Sequence, residues 1–251
     1  SGGYYLHQRL PLTGDDLLFH DPGNDLIVLF SGYIYNKHGL PGRHGFDAGE
    51  PEPRIAARLF LEEGPDFVRR LNGDFAIFIG QPARRRAYLF RDQVGIRPLA
   101  YSADSSKLLF SSDVNSLCRR LGGRKPVSED YLHGFFKYID LTTTPSDSVK
   151  RLLPGHYMEY SESGVRITRY WNPERIKTDN RMNYEEMLSG LRELVEDAVA
   201  IRCDNRFTAG AHVSSGLDSC TVAALARRKY IRQDTFFGYS WSPSGFTPSD
   251  P

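Results

Sequence analysis

The chain has 251 residues, of which 40% are apolar, so it is long enough for two ordinary domains with their own cores. Its 32 basic and 31 acidic side chains leave a net charge of +1, which provides no bulk attraction for nucleic acid or an anionic membrane. Its three widely spaced cysteines match no metal-binding pattern and indicate a reducing compartment rather than a disulfide framework. With no signal peptide and no apolar run of membrane length, the sequence predicts a cytoplasmic globular protein.

The first half of the chain predicts a set of short, largely antiparallel strands. These segments are rich in β-branched and aromatic residues, and turn residues bound them. They cover residues 25–31, 74–79, 86–91, 99–101, 107–111, 155–160 and 165–171. Helical spacing of apolar residues predicts a helix over 54–63 that stops at Gly64-Pro65, with further helical signal at 112–121 and 128–137. The basic cluster at residues 84–86 lies between two strands and is typical of a solvated hairpin turn.

The last third of the chain has the pattern of a second domain. A polar segment over residues 172–181 predicts the linker, with the domain boundary between 174 and 175. A helix follows, which Asn183 can cap together with Glu186, and its apolar stripe runs to Ile201. Next come a strand, a loop, a helix and a strand at 234–241, which predict the start of a parallel sheet. One such unit cannot bury both faces of a parallel sheet, so we expect this domain to be cut short.

Residues 214–219, Ser-Ser-Gly-Leu-Asp-Ser, form the loop between that strand and helix. A turn of small polar residues lets the backbone approach an anion, and the free N–H groups of the next helix point at it. The hydroxyls of Ser214, Ser215 and Ser219 add donors, and Asp218 can hold the Mg²⁺ that accompanies a nucleotide. The same residue types also build ordinary strand-to-helix turns, so the loop by itself leaves both interpretations open.

The loop resembles the pyrophosphate-binding loop of the ATP pyrophosphatases, whose usual form is Ser-Gly-Gly-x-Asp-Ser. This resemblance implies ATP and Mg²⁺ as cofactors, with Asp218 as the metal ligand. The residues that it assigns to ATP and pyrophosphate are Val213, Ser214, Ser215, Gly216, Asp218, Ser219 and Trp241. Ser215 departs from the family pattern, because a serine can replace that glycine only where its φ is not positive.

Motifs in the first half resemble the class II glutamine amidotransferase domain, an N-terminal nucleophile fold of stacked antiparallel sheets. They lie, in the family's order, at residues 7–10, 30–36, 71–78, 91–101, 110–113 and 153–156. Together with the downstream loop, they make the chain similar to asparagine synthetase-like proteins. The resemblance implies an α+β amidotransferase-like domain over residues 1–174, followed over 175–251 by the start of an α/β ATP pyrophosphatase domain. It also implies that the N-terminal cysteine nucleophile of such domains precedes this chain.

The glutamine-binding positions that the resemblance implies are altered. Arg9 matches the arginine that pairs with the substrate carboxylate, and Glu52 matches the aspartate that holds the substrate amine. Ser31, which precedes Gly32, stands where the family has the asparagine that donates to the oxyanion, and Tyr33 replaces an acidic residue. Loss of one oxyanion donor costs roughly a hundredfold in rate or more. We therefore expect a vestigial glutamine site and no catalytic residue in this chain.

These expectations describe an ATP-dependent enzyme that adenylates a carboxylate, releases pyrophosphate and forms an amide. A silent glutaminase half resembles the β-lactam synthetases and lasso peptide cyclases, in which the attacking amine belongs to the substrate. The expected partner is a small-molecule or peptide carboxylate, and a homo-oligomer or a partner enzyme of the same biosynthetic cluster stays open. Two alternatives remain, a glutamine-hydrolysing asparagine synthetase and a non-catalytic binding or regulatory homologue. The fragment by itself is expected to be inactive.

Overall fold

The computed structural model describes residues 17–40, 46, 49–122, 127–137, 143–178, 181–203, 208–232 and 235–241. The chain divides into two compact units, Ser1–Ile176 (unit 1) and Lys177–Pro251 (unit 2). The domain boundary that the sequence predicts, after residue 174, lies close to this division.

Unit 1 is built on two antiparallel sheets. Its strands are β1 (Leu18–Asp21), β2 (Leu26–Ile34), β3 (Gly73–Gln81), β4 (Arg86–Arg91), β5 (Ala100–Ala103), β6 (Leu108–Ser111), β7 (Lys150–Arg151), β8 (His156–Ser161) and β9 (Gly164–Arg169). Its helices are α1 (Glu52–Glu63), α2 (Val114–Arg120) and α3 (Glu129–Lys137). The large sheet has the order β1-β2-β3-β4-β8-β9, and the small sheet has the order β6-β5-β7. The predicted antiparallel strands are confirmed, whereas β1 and the two-residue β7 carry too short a pattern to have been predicted.

The two sheets stack face to face, because alternate residues of each strand turn apolar side chains to opposite sides. In β3, the ring of Phe78 stacks on Phe110 of the small sheet, with 4.7 Å between ring centroids. Ile77 and Ile79 point the other way, into a core that the buried face of α1 completes. Leu117 of α2 packs on the outer face of the small sheet. Unit 1 therefore has the α+β architecture of stacked antiparallel sheets that the sequence predicts.

The helix α1 begins two residues earlier than the pattern predicts. Pro51 is its N-cap residue and Pro53 lies in its first turn, where the missing proline N–H would have no partner within the helix. The prolines therefore start the helix and place Glu52 at its first position. The helix ends at Glu63, and Gly64 follows with a φ of 63°, which confirms the predicted stop.

Unit 2 contains α4 (Tyr184–Ala200), β10 (Gly210–His212), α5 (Leu217–Lys229) and β11 (Phe237–Tyr239). The strands β10 and β11 pair in parallel, which confirms the predicted strand, loop, helix and strand. The capping box of α4 is also confirmed, since Asn183 and Glu186 each accept the other's backbone N–H at 2.9–3.0 Å. The apolar stripe of α4 stays largely exposed, with Leu194 70% accessible. Among the described residues, no helix is both long and apolar enough to cross a membrane.

Candidate functional site

The predicted anion-binding loop lies at the carboxyl end of β10, where the chain turns into α5. The N–H of Val213 donates to the carbonyl oxygen of Tyr239 at 2.7 Å, which fixes the start of the loop beside the end of β11. Ligands of parallel α/β sheets bind at the carboxyl ends of the strands. The loop is therefore where such a fold places a binding site.

Hydroxyl groups close the loop onto the first turn of α5. The Oγ of Ser219 accepts the N–H of Ser214 at 3.0 Å and lies 2.8 Å from the Oγ of Ser214. The Oγ of Ser214 in turn accepts the N–H of Gly216 at 3.2 Å. Two of the predicted ligand hydroxyls thus shape the loop from within, while Ser215 and Asp218 remain exposed.

The N-terminus of α5 is open to an anion. Gly216 occupies the N-cap position with a φ of −79°, and no side chain caps the helix there. The first N–H groups of the helix therefore have no partner within it, and the helix dipole favours negative charge at this end. Asp218 lies in the same turn. Its carboxylate and a bound phosphate would repel each other unless a cation lay between them.

A magnesium ion that arrives with a nucleotide fits this arrangement better than a metal held by the protein alone. No group of three His, Cys, Asp or Glu residues could hold a metal ion within the part of the chain that the structure describes. Mg²⁺ is commonly bound through one or two carboxylates, with phosphates and water completing the shell. Asp218 offers one such carboxylate.

Ser215 fits the loop without backbone strain. The non-glycine residues with positive φ are Asp25 and Arg85 across the described ranges, so the backbone of Ser215 does not need a glycine. Ser215 therefore satisfies the condition for replacing the family's glycine, which is a φ that is not positive.

Trp241 lies outside the hydrogen-bond network of the loop. It lies two residues beyond the end of β11 and is 85% exposed, and no hydrogen bond or ring contact joins it to the loop in the described part of unit 2. An open cavity of about 900 Å³ does reach the loop at Asp218 and Ser219. It lies between α4, β10 and α5, and its walls are mainly small and apolar side chains.

The position that the resemblance assigns to the oxyanion donor lies in the second half of β2. Gly32 has a φ of 127°, and a Cβ there would lie 1.8 Å from the carbonyl oxygen of Asp74, so this position accepts only glycine. Ser31 is exposed, and Tyr33 stands opposite Asp74 in the strand register. The ring centroid of Tyr33 is 5.9 Å from the guanidinium carbon of Arg97, a residue for which the sequence suggested no separate role.

A lysine of the protein holds the carboxylate that the resemblance assigns to the substrate amine. Glu52 is 7% exposed, and its Oε1 lies 2.6 Å from the Nζ of Lys37. The same Nζ donates to the backbone carbonyl of Glu50 at 3.3 Å. Sequence reasoning missed Lys37, because nothing in the pattern joins a loop lysine to a helix that begins fifteen residues later. Arg9 and the rest of residues 7–10 lie outside the described residues.

The motif at residues 91–97 is a structural loop built around Asp92, which is fully buried. Its two carboxylate oxygens accept five backbone N–H groups at 2.6–3.3 Å, those of Phe75, Val94, Gly95, Ile96 and Arg97. The guanidinium of Arg91 donates to three backbone carbonyls, those of Gly95, Arg97 and Leu152. Burial lowers the pKa of Arg91, although the carboxylate of Asp92 raises it. The motif therefore fixes the backbone of this loop, including the backbone of Arg97 from which its side chain extends.

The glutamine amidotransferase domain family matches residues 7–171, and the asparagine synthase family matches residues 190–245. The chain is 26% identical over 221 residues to asparagine synthetase [glutamine-hydrolyzing] 3 of Bacillus subtilis, covering 84% of this chain and 35% of that protein. It is 28% identical to amidase chyE of Penicillium rubens, covering 91% and 34%. Among solved structures, glutamine phosphoribosylpyrophosphate amidotransferase from B. subtilis matches with a TM-score of 0.43 and 14% identity, covering 89% of this chain and 47% of that one.

The chain therefore belongs to the glutamine amidotransferase domain family. Within it, the chain is an asparagine synthetase-like protein, since both of its units match in the expected order. It spans about a third of the length of the curated relatives that it matches.

Proposed function

We propose that this protein is an ATP-dependent ligase that adenylates a carboxylate, releases pyrophosphate and forms an amide bond with an amine of its own substrate. The observation that carries this proposal is the loop after β10. It combines a closed hydroxyl network, an uncapped helix N-terminus and an exposed Asp218 at the carboxyl ends of two parallel strands.

The residues of the loop have distinct roles in this proposal. The first N–H groups of α5 and the exposed hydroxyl of Ser215 hold the phosphates that leave as pyrophosphate. Asp218 would hold Mg²⁺, and the bound ion would supply positive charge beside the leaving pyrophosphate. The cavity between α4, β10 and α5 offers room for an apolar group beside the phosphates.

The amidotransferase-like unit supplies no ammonia in this proposal. The serine at position 31 has no amide group to donate to an oxyanion, and the Glu52 carboxylate is held by Lys37. The attacking amine then belongs to the substrate, as the resemblance to β-lactam synthetases and lasso peptide cyclases implies. The substrate is a small-molecule or peptide carboxylate, and we place the reaction in the cytoplasm.

A glutamine-hydrolysing asparagine synthetase is the second candidate. It is favoured by the names of relatives such as the B. subtilis protein. The two candidates share the ATP chemistry and differ in whether the protein releases ammonia from glutamine.

Two measurements on the full-length protein test the proposal. The first is binding of Mg²⁺-ATP by isothermal titration calorimetry, in which Asp218→Ala should weaken affinity about tenfold or more. Asp197→Ala removes an exposed carboxylate from α4 and should leave the affinity unchanged. The second is ammonia release from glutamine, which we expect to be absent.

The outcomes separate the candidates. Binding of Mg²⁺-ATP without ammonia release supports the proposal over the asparagine synthetase, whereas ammonia release with ATP binding favours the asparagine synthetase. If the unmodified protein binds no Mg²⁺-ATP, the ligase is ruled out and a non-catalytic homologue is the remaining interpretation.

A further inference from the structure

Arg97 carries a buried donor that the fold does not use. Its Nε is the one buried side-chain nitrogen without a hydrogen-bond partner among the described residues. A guanidinium N–H that is removed from water and finds no acceptor costs free energy. An acceptor from outside the fold would remove that cost.

The side chain of Arg97 is nevertheless held in place. Its backbone N–H donates to Oδ2 of Asp92 at 2.9 Å, and its carbonyl accepts the Nε of Arg91 at 2.9 Å. The ring of Tyr33 lies 5.9 Å from its guanidinium carbon. A ring face attracts the cation but does not accept its N–H groups as an oxygen would. The guanidinium is therefore positioned while its Nε–H has no acceptor.

Tyr33 and Ser31 locate this feature at one end of the space between the two sheets. Both share the face of β2 that carries Ile27 and Leu29, which pack between the sheets. Ile34, on the opposite face, belongs to the core on the α1 side, so the alternation continues to the end of the strand. Ser31 is exposed, so a ligand can reach this end from solvent. We call Arg97, Tyr33 and Ser31 the Arg97 site.

Among the described residues, the charged groups close to this site in the sequence or register already have partners. Asp74, opposite Tyr33, accepts the hydroxyl hydrogen of Tyr35 at 2.7 Å. The ammonium of Lys37 pairs with Glu52. Arg91 donates to three backbone carbonyls. The cations of Lys37 and Arg91 are therefore both engaged within the protein.

With these groups paired, the guanidinium of Arg97 determines which kind of ligand the site can bind. A single guanidinium matches the fork of a carboxylate in both charge and geometry, whereas a phosphate dianion calls for further donors or a second cation. An α-ammonium group would need an unpaired acid, and Glu52 is engaged by Lys37.

We propose that the Arg97 site binds a carboxylate that carries no α-ammonium group, with Arg97 holding the carboxylate and Tyr33 supporting the guanidinium. Unit 1 is then a binding domain for an organic acid at the end of its sheets. The proposal rests on none of the ATP chemistry proposed above, and failure of one leaves the other standing.

The test is an NMR titration of the ¹⁵N-labelled 251-residue chain at constant ionic strength, following the arginine Nε–H signals. The probes are butyrate, 2-aminobutyrate, which differs from butyrate by the α-ammonium group, and inorganic phosphate. The Arg97 signal, assigned by its loss in Arg97→Gln, should shift and saturate with butyrate and respond far less to the other two probes. In Arg97→Gln, butyrate binding is measured from the shifts of backbone amide signals. We expect this variant to bind butyrate about tenfold more weakly or worse.

Three further variants complete the test. Arg84→Gln makes the same charge change at an exposed turn and should bind butyrate like the unmodified chain. Tyr33→Leu should weaken binding, and Arg97→Lys, which keeps the charge but loses the fork, should do the same without unfolding the loop. Equal butyrate binding by the unmodified chain and both Arg97 variants would overturn the proposal. The proposal would also be overturned if the unmodified chain did not bind butyrate, or if it bound 2-aminobutyrate or phosphate as tightly as butyrate.

Discussion

The ammonium of Lys37 lies 2.6 Å from the carboxylate of Glu52, and that carboxylate is almost completely buried. Removing one partner of a buried ion pair leaves the other without compensation for its lost hydration. We therefore expect Lys37→Met to lower the free energy of unfolding by about 1–3 kcal/mol, measured by urea denaturation. The double variant Lys37→Met/Glu52→Gln should be more stable than Lys37→Met.

Glu162→Gln provides the control for this prediction, because its ion pair with Arg85 is exposed and such pairs contribute little. A Lys37→Met variant as stable as Glu162→Gln would mean that the Glu52 carboxylate does not depend on Lys37.

Substitution of Gly32 should be strongly destabilising. An alanine there must adopt a φ of 127° and bring its Cβ to within 1.8 Å of a backbone oxygen of β3, so a strand has to move. We expect Gly32→Ala to cost about 2 kcal/mol or more of the free energy of unfolding. Gly39→Ala, where a Cβ meets nothing within 4 Å, should change it by no more than about 0.5 kcal/mol. Similar effects of the two changes would contradict the geometry of β2.

Asp92→Asn should loosen the loop that carries Arg97. The amide presents an NH₂ group to backbone donors that now reach two carboxylate oxygens, and it removes the negative charge that strengthens these bonds. We expect a loss of about 3 kcal/mol of unfolding free energy and faster hydrogen exchange at residues 94–97. Asp66→Asn, at an exposed ion pair, serves as the control, and unchanged exchange in Asp92→Asn would count against the structural role of the carboxylate.

Tyr170 should contribute to alkaline unfolding. Burial raises its pKa far above the ordinary value of 10, the charge of Asp92 adds to the effect, and its hydroxyl donates to the carbonyl of Arg91 at 2.8 Å. Above pH 10 the unfolded chain loses this proton while the folded chain keeps it. Stability from this group is therefore complete below pH 10 and falls above it, by about 1.4 kcal/mol per pH unit.

The variant Tyr170→Phe isolates this contribution. It should be less stable than the unmodified chain at pH 8, where the hydrogen bond is intact, and the difference should shrink between pH 10 and pH 11.5. Denaturant titrations across this range measure it. A constant difference would show that Tyr170 does not titrate differently in the two states.

The sequence by itself determined the local features of this protein. Periodicity predicted most strands of both sheets, Asn183 and Glu186 predicted the capping box of α4, and residues 214–219 predicted a strand-to-helix loop. Each of these depends on neighbours in the chain, whose spacing the backbone geometry fixes. The order of the motifs also indicated the family that the comparisons then confirmed.

Only the tertiary structure decided which distant side chains meet. Lys37 reaches Glu52 because the turn after β2 folds back to the start of α1, and Arg97 reaches Tyr33 because Asp92 gathers the backbone of its loop against β3. Such contacts arise when separate segments pack on one sheet, and no period in the sequence encodes them. For the same reason, the sequence could assign a role to Glu52 but could not reveal that a lysine of the protein already holds its carboxylate.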